Sequence, residues 1–301
     1  MKSVRLPAYA KVNLCLHILG RRPDGYHELR TVFQTISLRD TLTLTRTRRP
    51  GIELVVSGNP GLAAIAPPEN QAFRAADALR RELRLRSGVR LSLRKRIPVA
   101  RGLGGGSSDA AATLVGLLRL TGRKLPRARL LEIAAGLGAD VPFFLFGGRA
   151  LGVGRGDNIS CMPDGPKRAV VVVWPRNIAV STREAYQWVS LQLTRRGRAT
   201  RLERFCALCS SPQRGTSSSD FEAVVFRRHP RLAKIKQELL ERGAAEAALA
   251  GSGSAVFGIF PSPAQARRAA QGFPKDQVFV CATLSRAEYR RALGARGSIG
   301  R

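Results

Sequence analysis

Four glycines and two serines are packed into IPVARGLGGGSSDAA, the stretch that begins at Ile97. Glycine has no Cβ, so Gly102, Gly104, Gly105 and Gly106 let the chain turn tightly and bring backbone N–H groups close to an anion. Ser107, Ser108 and Asp109 then open an alanine-rich run with helical character, which turns the positive end of a helix dipole toward the glycines. Together these features make a cradle for phosphate. A flexible Gly/Ser linker would have no reason to end in a helix start. The spacing of a Walker A loop is absent, and no acidic residue about twenty positions further on closes a dinucleotide-binding unit.

Other residues offer complementary chemistry. Lys11 and Asn13 stand inside the otherwise apolar run LPAYAKVNLCLHIL. A lysine between Ala10 and Val12 is seldom buried without an anion, the alternative being an edge lysine whose ammonium reaches out to water. A Pro-Asp-Gly turn at 23–25 leads into Tyr26 and His27. Asp140, in LGADVPFFLFGG, sits at the mouth of an apolar run, where a carboxylate can act as a general base or simply cap a helix. Gly251, Ser252 and Gly253, in LAGSGSAVFGIF, could form a further anion-facing turn, although a plain tight turn has the same composition.

These residues need a scaffold, and its elements are partly legible. Alternation over Leu42–Leu44, Ile52–Val56 and Leu91–Leu93 predicts half-buried strands, so the first third is strand-rich. Asn70 is placed to cap a helix through Leu83, and further helices are expected over 107–120 and 127–137. The apolar run Ala169–Trp174 has the length of a buried strand and opens a second domain, with the boundary falling in 157–167. Ser219 and Glu222 are spaced as a capping box, Ser262 and Pro263 start another helix, and Gln277–Cys281 reads as a last strand. The Gly- and Arg-rich end of the chain is expected to fray.

Composition bounds the function. The 301 residues, 44% hydrophobic, suffice for one large or two medium domains, and no apolar run has the length of a membrane span. A soluble cytosolic protein is expected. The five cysteines are odd in number and scattered, which argues for reduced thiols; Cys206 and Cys209 form a CxxC with no second pair to complete a zinc site. His17 and His229 read as structural. The net charge of +30 invites a nucleic-acid reading, but only eight of the 51 basic residues are lysine and the arginines are spread along the chain without a recognition motif. A biased codon supply or a solvated surface accounts for most of this charge, with steering of an anionic small substrate as the next alternative.

In order and spacing, LPAYAKVN, IPVARGLGGGSSDAA and LAGSGSAVFGIF resemble the three motifs of the GHMP kinase superfamily, and they frame nearly the whole chain. Within it, GRRPDGYHEL and GADVPFFLFGG are similar to the branch that phosphorylates the 2-hydroxyl of 4-diphosphocytidyl-2-C-methyl-D-erythritol in non-mevalonate isoprenoid synthesis. Mevalonate and homoserine kinases share the glycine-rich loop but are not expected to carry the GYHEL segment. The resemblance implies an α+β fold of two domains: an ATP-binding domain of the ribosomal protein S5 domain 2 type over 1–160 and a ferredoxin-like α/β domain over 161–285, followed by a frayed basic tail, 286–301. It implies a cytoplasmic kinase that uses ATP and Mg2+ on a small cytidine diphosphate derivative, with no membrane or nucleic-acid partner.

Residue by residue, the resemblance implies that Pro98, Val99, Ala100, Arg101, Gly102, Leu103, Gly104, Gly105, Gly106, Ser107 and Ser108 wrap the ATP phosphates, with Ser108 near the metal. Asn70 and Lys95 would line the adenine pocket. Lys11 and Asp140 match the catalytic pair, the aspartate accepting the proton of the attacking hydroxyl and the lysine orienting it and stabilising charge. Asn13 would contact the substrate near the lysine. Tyr26 would cover one face of the cytosine, His27 would hydrogen-bond its edge, and Tyr186, or else Trp188, would cover the other face. Phosphoryl transfer needs this kind of site, one of positioning, charge stabilisation and a local proton acceptor. A GHMP-type kinase for a different alcohol and a basic RNA-binding protein on the same fold are the competing readings. Residues 191–216 match no family motif.

Overall fold

Two strands dominate the molecule. In the computed structural model, which describes residues 2–58, 66–193 and 217–294, β1 (Ser3–Arg21) and β2 (His27–Thr47) run 19 and 21 residues. They pair antiparallel along their whole length, with register irregularities between Tyr9 and Ala10, Asn13 and Cys15, and Ile18 and Gly20. Strands this long serve several neighbours in turn: β2 pairs with one strand over Leu29–Gln34 and with another over Thr41–Thr47.

The chain continues through β3 (Ile52–Ser57), α1 (Gln71–Glu82), β4 (Gly88–Arg94), α2 (Gly105–Thr121), α3 (Arg127–Leu137), the single turn α4 (Phe143–Phe146), β5 (Arg149–Gly154) and β6 (Asn158–Cys161). Asn70 caps α1 as its residue type predicts, its Oδ1 accepting from the Ala72 N–H at 2.9 Å. Ala72, Ala75, Ala76 and Leu79 form the buried face of that helix. The central helix α2 is buried nearly all round, and a Cβ on Gly116 would come within 2.4 Å of Leu44, so small residues let α2 lie directly on the sheet.

A second sheet follows. It comprises β7 (Ala169–Trp174), β9 (Glu246–Leu249), β10 (Val256–Phe260) and β11 (Gln277–Ala282) in the order β11-β7-β10-β9, all antiparallel. Its helices are α5 (Thr182–Leu193), α6 (Glu222–Arg228), α7 (Pro230–Glu241) and α8 (Pro263–Ala270). The two-residue β8 (Ser218–Ser219) leaves this body to pair with β1 in parallel, completing the first sheet as β3-β4-β2-β1-β8, with β5 beside β2 and β6 beside β5. Ala10, Val12, Ile36 and Leu38 of the long strands pack against Val170, Val172 and Phe257, so the β1–β2 ribbon presents one stretch of apolar surface to the second sheet. The mixture of helices and sheets in two bodies is the expected α+β architecture. Among the described residues no helix is long and apolar enough to cross a membrane.

Two expectations are corrected. Residues 286–294 are not frayed: α9 (Arg286–Ala292) begins with a full capping box of Ser285 and Glu288, and Tyr289 and Leu293 join the core of the first sheet, while 295–301 lie outside the described residues. The Tyr289 hydroxyl donates to the carbonyl of Phe144, and its ring fills the space beside Gly147. Conversely, Ser219 and Glu222 make no capping box, because strand pairing with β1 holds Ser219, whose hydroxyl donates to the Gly251 carbonyl, while Glu222 is bound to Lys236. The hairpin β5–β6 keeps residues through Cys161 in the first sheet, so the crossing to the second comes after it. The CxxC of Cys206 and Cys209 and most of 191–216 lie outside the described residues.

Candidate active site

The glycine-rich stretch is a loop that ends where α2 begins, and two glycines in it are sterically obligatory. Gly104, at the helix N-cap with φ +69°, faces the Phe144 ring and the Lys11 stem, and a Cβ there would meet them at 2.8–3.1 Å. A Cβ on Gly102, with φ +77°, would stand 1.7 Å from the carbonyl oxygen of Ala250, just before the Gly251–Gly253 turn. The third motif is thus packed against the loop, and the Ala255 N–H donates to the Arg101 carbonyl at 3.3 Å. On the other side the Lys11 N–H donates to the Leu103 carbonyl at 3.0 Å, which ties the loop to β1 at the lysine. The N–H groups of the first turn of α2 have no carbonyl one turn back to bind, and they are left for an anion.

Beneath the loop, Lys95 is buried between two acids. Its ammonium donates to Asp40 and, at 2.6 Å, to Asp109 of α2. Asp40 also accepts from the backbone N–H groups of Arg96 and Ile97, at 2.5 and 2.9 Å. Burial, offset only in part by Lys95 and reinforced by Asp40, pushes the Asp109 carboxyl up to about 7. Lys95 therefore lines the cleft, but its charge is engaged in holding the base of the loop to α2 and β2. Asn70 also reaches the cleft, with its side-chain oxygen taken by the α1 cap.

Lys11 is 3% exposed, which removes the snorkelling alternative. Its ammonium lies 3.2 Å from Asp140 Oδ2 and donates to Asn13 Oδ1 at 2.8 Å. Asp140, on the turn between α3 and α4, caps no helix; its carboxylate is one-third exposed, with side-chain exposure of 33%. Asn13, expected to touch substrate, is itself buried, with one end of its amide on Lys11 and the other donating to Thr31. Ser108, expected near the metal, is buried and does not line the cleft, whereas Ser107, the residue before it, does. Of the two, Ser107 is the hydroxyl that a magnesium ion could reach.

At the far end, Tyr26 is 56% exposed and the Arg155 guanidinium lies over its ring, 5.0 Å from the centroid. Arg155 is a residue the sequence did not flag, and Asp157 holds it in place. His27 stacks on Tyr186 with centroids 4.8 Å apart, and its Nε2 is 2.8 Å from Ser190 Oγ. Ser190 donates its one proton to the Tyr186 carbonyl at 2.9 Å, so the hydroxyl accepts from His27 Nε2–H and leaves a lone pair on Nδ1. Burial, with Arg21 adding to it, holds the imidazole below its ordinary pKa and so favours the neutral ring. The expected sandwich is altered, because the His27 ring already covers one face of Tyr186. Trp188 takes no part; it stacks under Arg228, 4.3 Å from the guanidinium, away from the cleft.

One cleft of about 1210 Å³ runs from the loop and Asn70 past Lys11 and Asp140 to Tyr26, His27 and Tyr186. A cleft with a phosphate cradle at one end, an amine–carboxylate pair in the middle and aromatic side chains at the other can hold a phosphoryl donor and a planar acceptor together. Among the described residues no cluster of three or more His, Cys, Asp or Glu forms a metal site of its own.

Comparison with known proteins shows the family of the chain. Residues 70–148 match the GHMP kinases N terminal domain, and residues 190–277 match the GHMP kinases C terminal family. A 4-diphosphocytidyl-2-C-methyl-D-erythritol kinase of Solibacter usitatus is 44% identical over 96% of this chain and 91% of its own length. One from Geobacter sulfurreducens is also 44% identical, over 94% of this chain and 99% of its own. The crystal structure of a 4-(cytidine 5'-diphospho)-2C-methyl-D-erythritol kinase superposes with a TM-score of 0.76 at 33% identity, covering 93% of this chain and 99% of that one.

Proposed function

We propose that this chain, which belongs to the 4-diphosphocytidyl-2-C-methyl-D-erythritol kinase family of the GHMP kinases, transfers the terminal phosphoryl group of ATP to the 2-hydroxyl of 4-diphosphocytidyl-2-C-methyl-D-erythritol. The observation that carries the reading is the Lys11–Asp140 pair, 3.2 Å apart, midway between the glycine-rich cradle and the Tyr26–His27 end of a single cleft. Residues 1–160, which carry most of the first sheet, bind the nucleotide, and 161–285 supplies the Gly251–Gly253 turn and Tyr186. The enzyme works in the cytoplasm.

The phosphates rest on the N–H groups at the start of α2, where helix dipole and bare backbone both favour negative charge. Asp140, open to the cleft, accepts the proton of the attacking hydroxyl. Lys11 donates toward the phosphoryl oxygens as charge spreads over them. Ser107 would offer a hard oxygen donor to Mg2+, which when bound with ATP would neutralise phosphate charge. The cytosine lies against Tyr26, and the His27 Nδ1 lone pair accepts from its exocyclic amine; a uracil carbonyl in that position would face a second acceptor.

ATP consumption measured with and without the cytidine diphosphate substrate tests the reading. Turnover is expected only with it, and Asp140→Ala should bind ATP normally while losing most of kcat. Equal turnover on a simple alcohol, or a normal kcat in the variant, would overturn it.

A further inference from the structure

Thr31 belongs to no motif, and we infer that it is a positioning residue for the transfer: its hydroxyl fixes which way round the Asn13 amide lies, and the amide in turn aims Lys11. Thr31 Oγ1 lies 2.8 Å from the carbonyl oxygen of Cys15 and 2.7 Å from Asn13 Nδ2. A hydroxyl has one proton and a carbonyl can only accept, so the proton goes to Cys15 and the hydroxyl offers a lone pair to Asn13. The amide must then turn its NH2 toward Thr31 and its oxygen the other way, where Lys11 donates to it at 2.8 Å. Reversed, the amide would set its own N–H groups against the ammonium.

Each member of the relay therefore has one role, and all three side chains are buried, with exposures of 3% for Lys11, 1% for Asn13 and 1% for Thr31. Burial makes each of these bonds stronger and each mismatch costlier. The β1–β2 register shifts between Asn13 and Cys15, at the relay itself, and such an irregularity re-aims side chains. Of the three N–H bonds of Lys11, one goes to Asn13 and one faces Asp140, while the ammonium also lies 5.4 Å from the centroid of the Phe33 ring; in this relay the remaining N–H donates to the phosphoryl group.

The inference rests on Lys11 and Asp140 being the transfer pair, and its test separates the two. Thr31→Val keeps the side-chain shape without the hydroxyl; kcat should fall on the order of 10- to 100-fold, with KM unchanged for ATP and for the cytidine diphosphate substrate. Thr31→Ser should restore kcat. On an Asn13→Ala background, Thr31→Val should cost nothing further, since the relay is already broken. A normal kcat in a folded Thr31→Val, or additive losses in the double variant, would overturn the relay. If Lys11→Ala keeps its turnover, the reading of the site falls instead. Should Thr31→Val fail to fold, Asn13→Ala alone decides: a lower kcat at constant KM supports the relay, and a raised KM for the cytidine substrate means that Asn13 touches the substrate, which overturns it.

Discussion

Lys11 and Lys95 lie buried on the floor of the same cleft, 3% and 5% exposed, and their partners set them apart. Lys95 is enclosed by the carboxylates of Asp40 and Asp109, both buried. Lys11 has a neutral amide on one side and, on the other, one carboxylate that solvent and ligand can reach. An ammonium enclosed by two buried acids is a structural joint. One matched loosely can answer to an incoming phosphate. Burial alone would not tell the two lysines apart; the count and openness of the anions around them does.

The comparison breaks most visibly by removing each ammonium in turn. Lys11→Ala should lower kcat by on the order of 10²–10³ with little change in the urea midpoint. Lys95→Met should do the reverse, leaving two carboxylates face to face and costing about 3–5 kcal/mol of stability. Chemical denaturation beside steady-state kinetics checks both, and equal kinetic effects from the two would erase the distinction. A subtler effect concerns Asp109. Between its ordinary value of 3.8 and about 7, the folded chain keeps a proton on Asp109 that the unfolded chain has released. Stability from this group therefore falls as pH rises through that window and is flat above it. Asp109→Asn, which mimics the protonated acid, should flatten the slope of melting temperature between pH 5 and 8 relative to wild type. The smallest effect lies at the far end of the cleft: Tyr26→Ala should raise KM for the cytidine substrate by roughly the 1–3 kcal/mol of one stacked base without moving the melting temperature, while Trp188→Ala should leave that KM alone.

Lys11, Asp140 and the glycine-rich loop were legible because each breaks a local rule: a charge in an apolar strand, an acid before an apolar run, glycines before a helix. Asp40 breaks none. In ISLRDTLTL it is one polar residue of an alternating strand, and only the pairing of Thr41 with Arg94 brings it beside Lys95, 55 residues away. Thr31 is hidden for the same reason, since a threonine in a strand needs no explanation until register puts it opposite Leu16 and within reach of Asn13. The misreading of 286–294 has another cause. Ser285 and Glu288 carry the S-x-x-E spacing of a helix start, but the Arg and Gly that follow suggest a loose end, and no local pattern says that Tyr289 has a slot waiting 145 residues earlier in the chain. At Ser219 and Glu222 the same spacing misled, because a two-residue strand claimed the serine first.

That slot bears on how the chain is made. During synthesis the helices and long strands of the first sheet leave the ribosome well before α9, yet the gap beside Gly147 and the Phe144 carbonyl closes only when Tyr289 arrives. The N-terminal half of a nascent chain is therefore expected to keep an open seam in its core until Tyr289 of α9, 145 residues after Phe144, has been made.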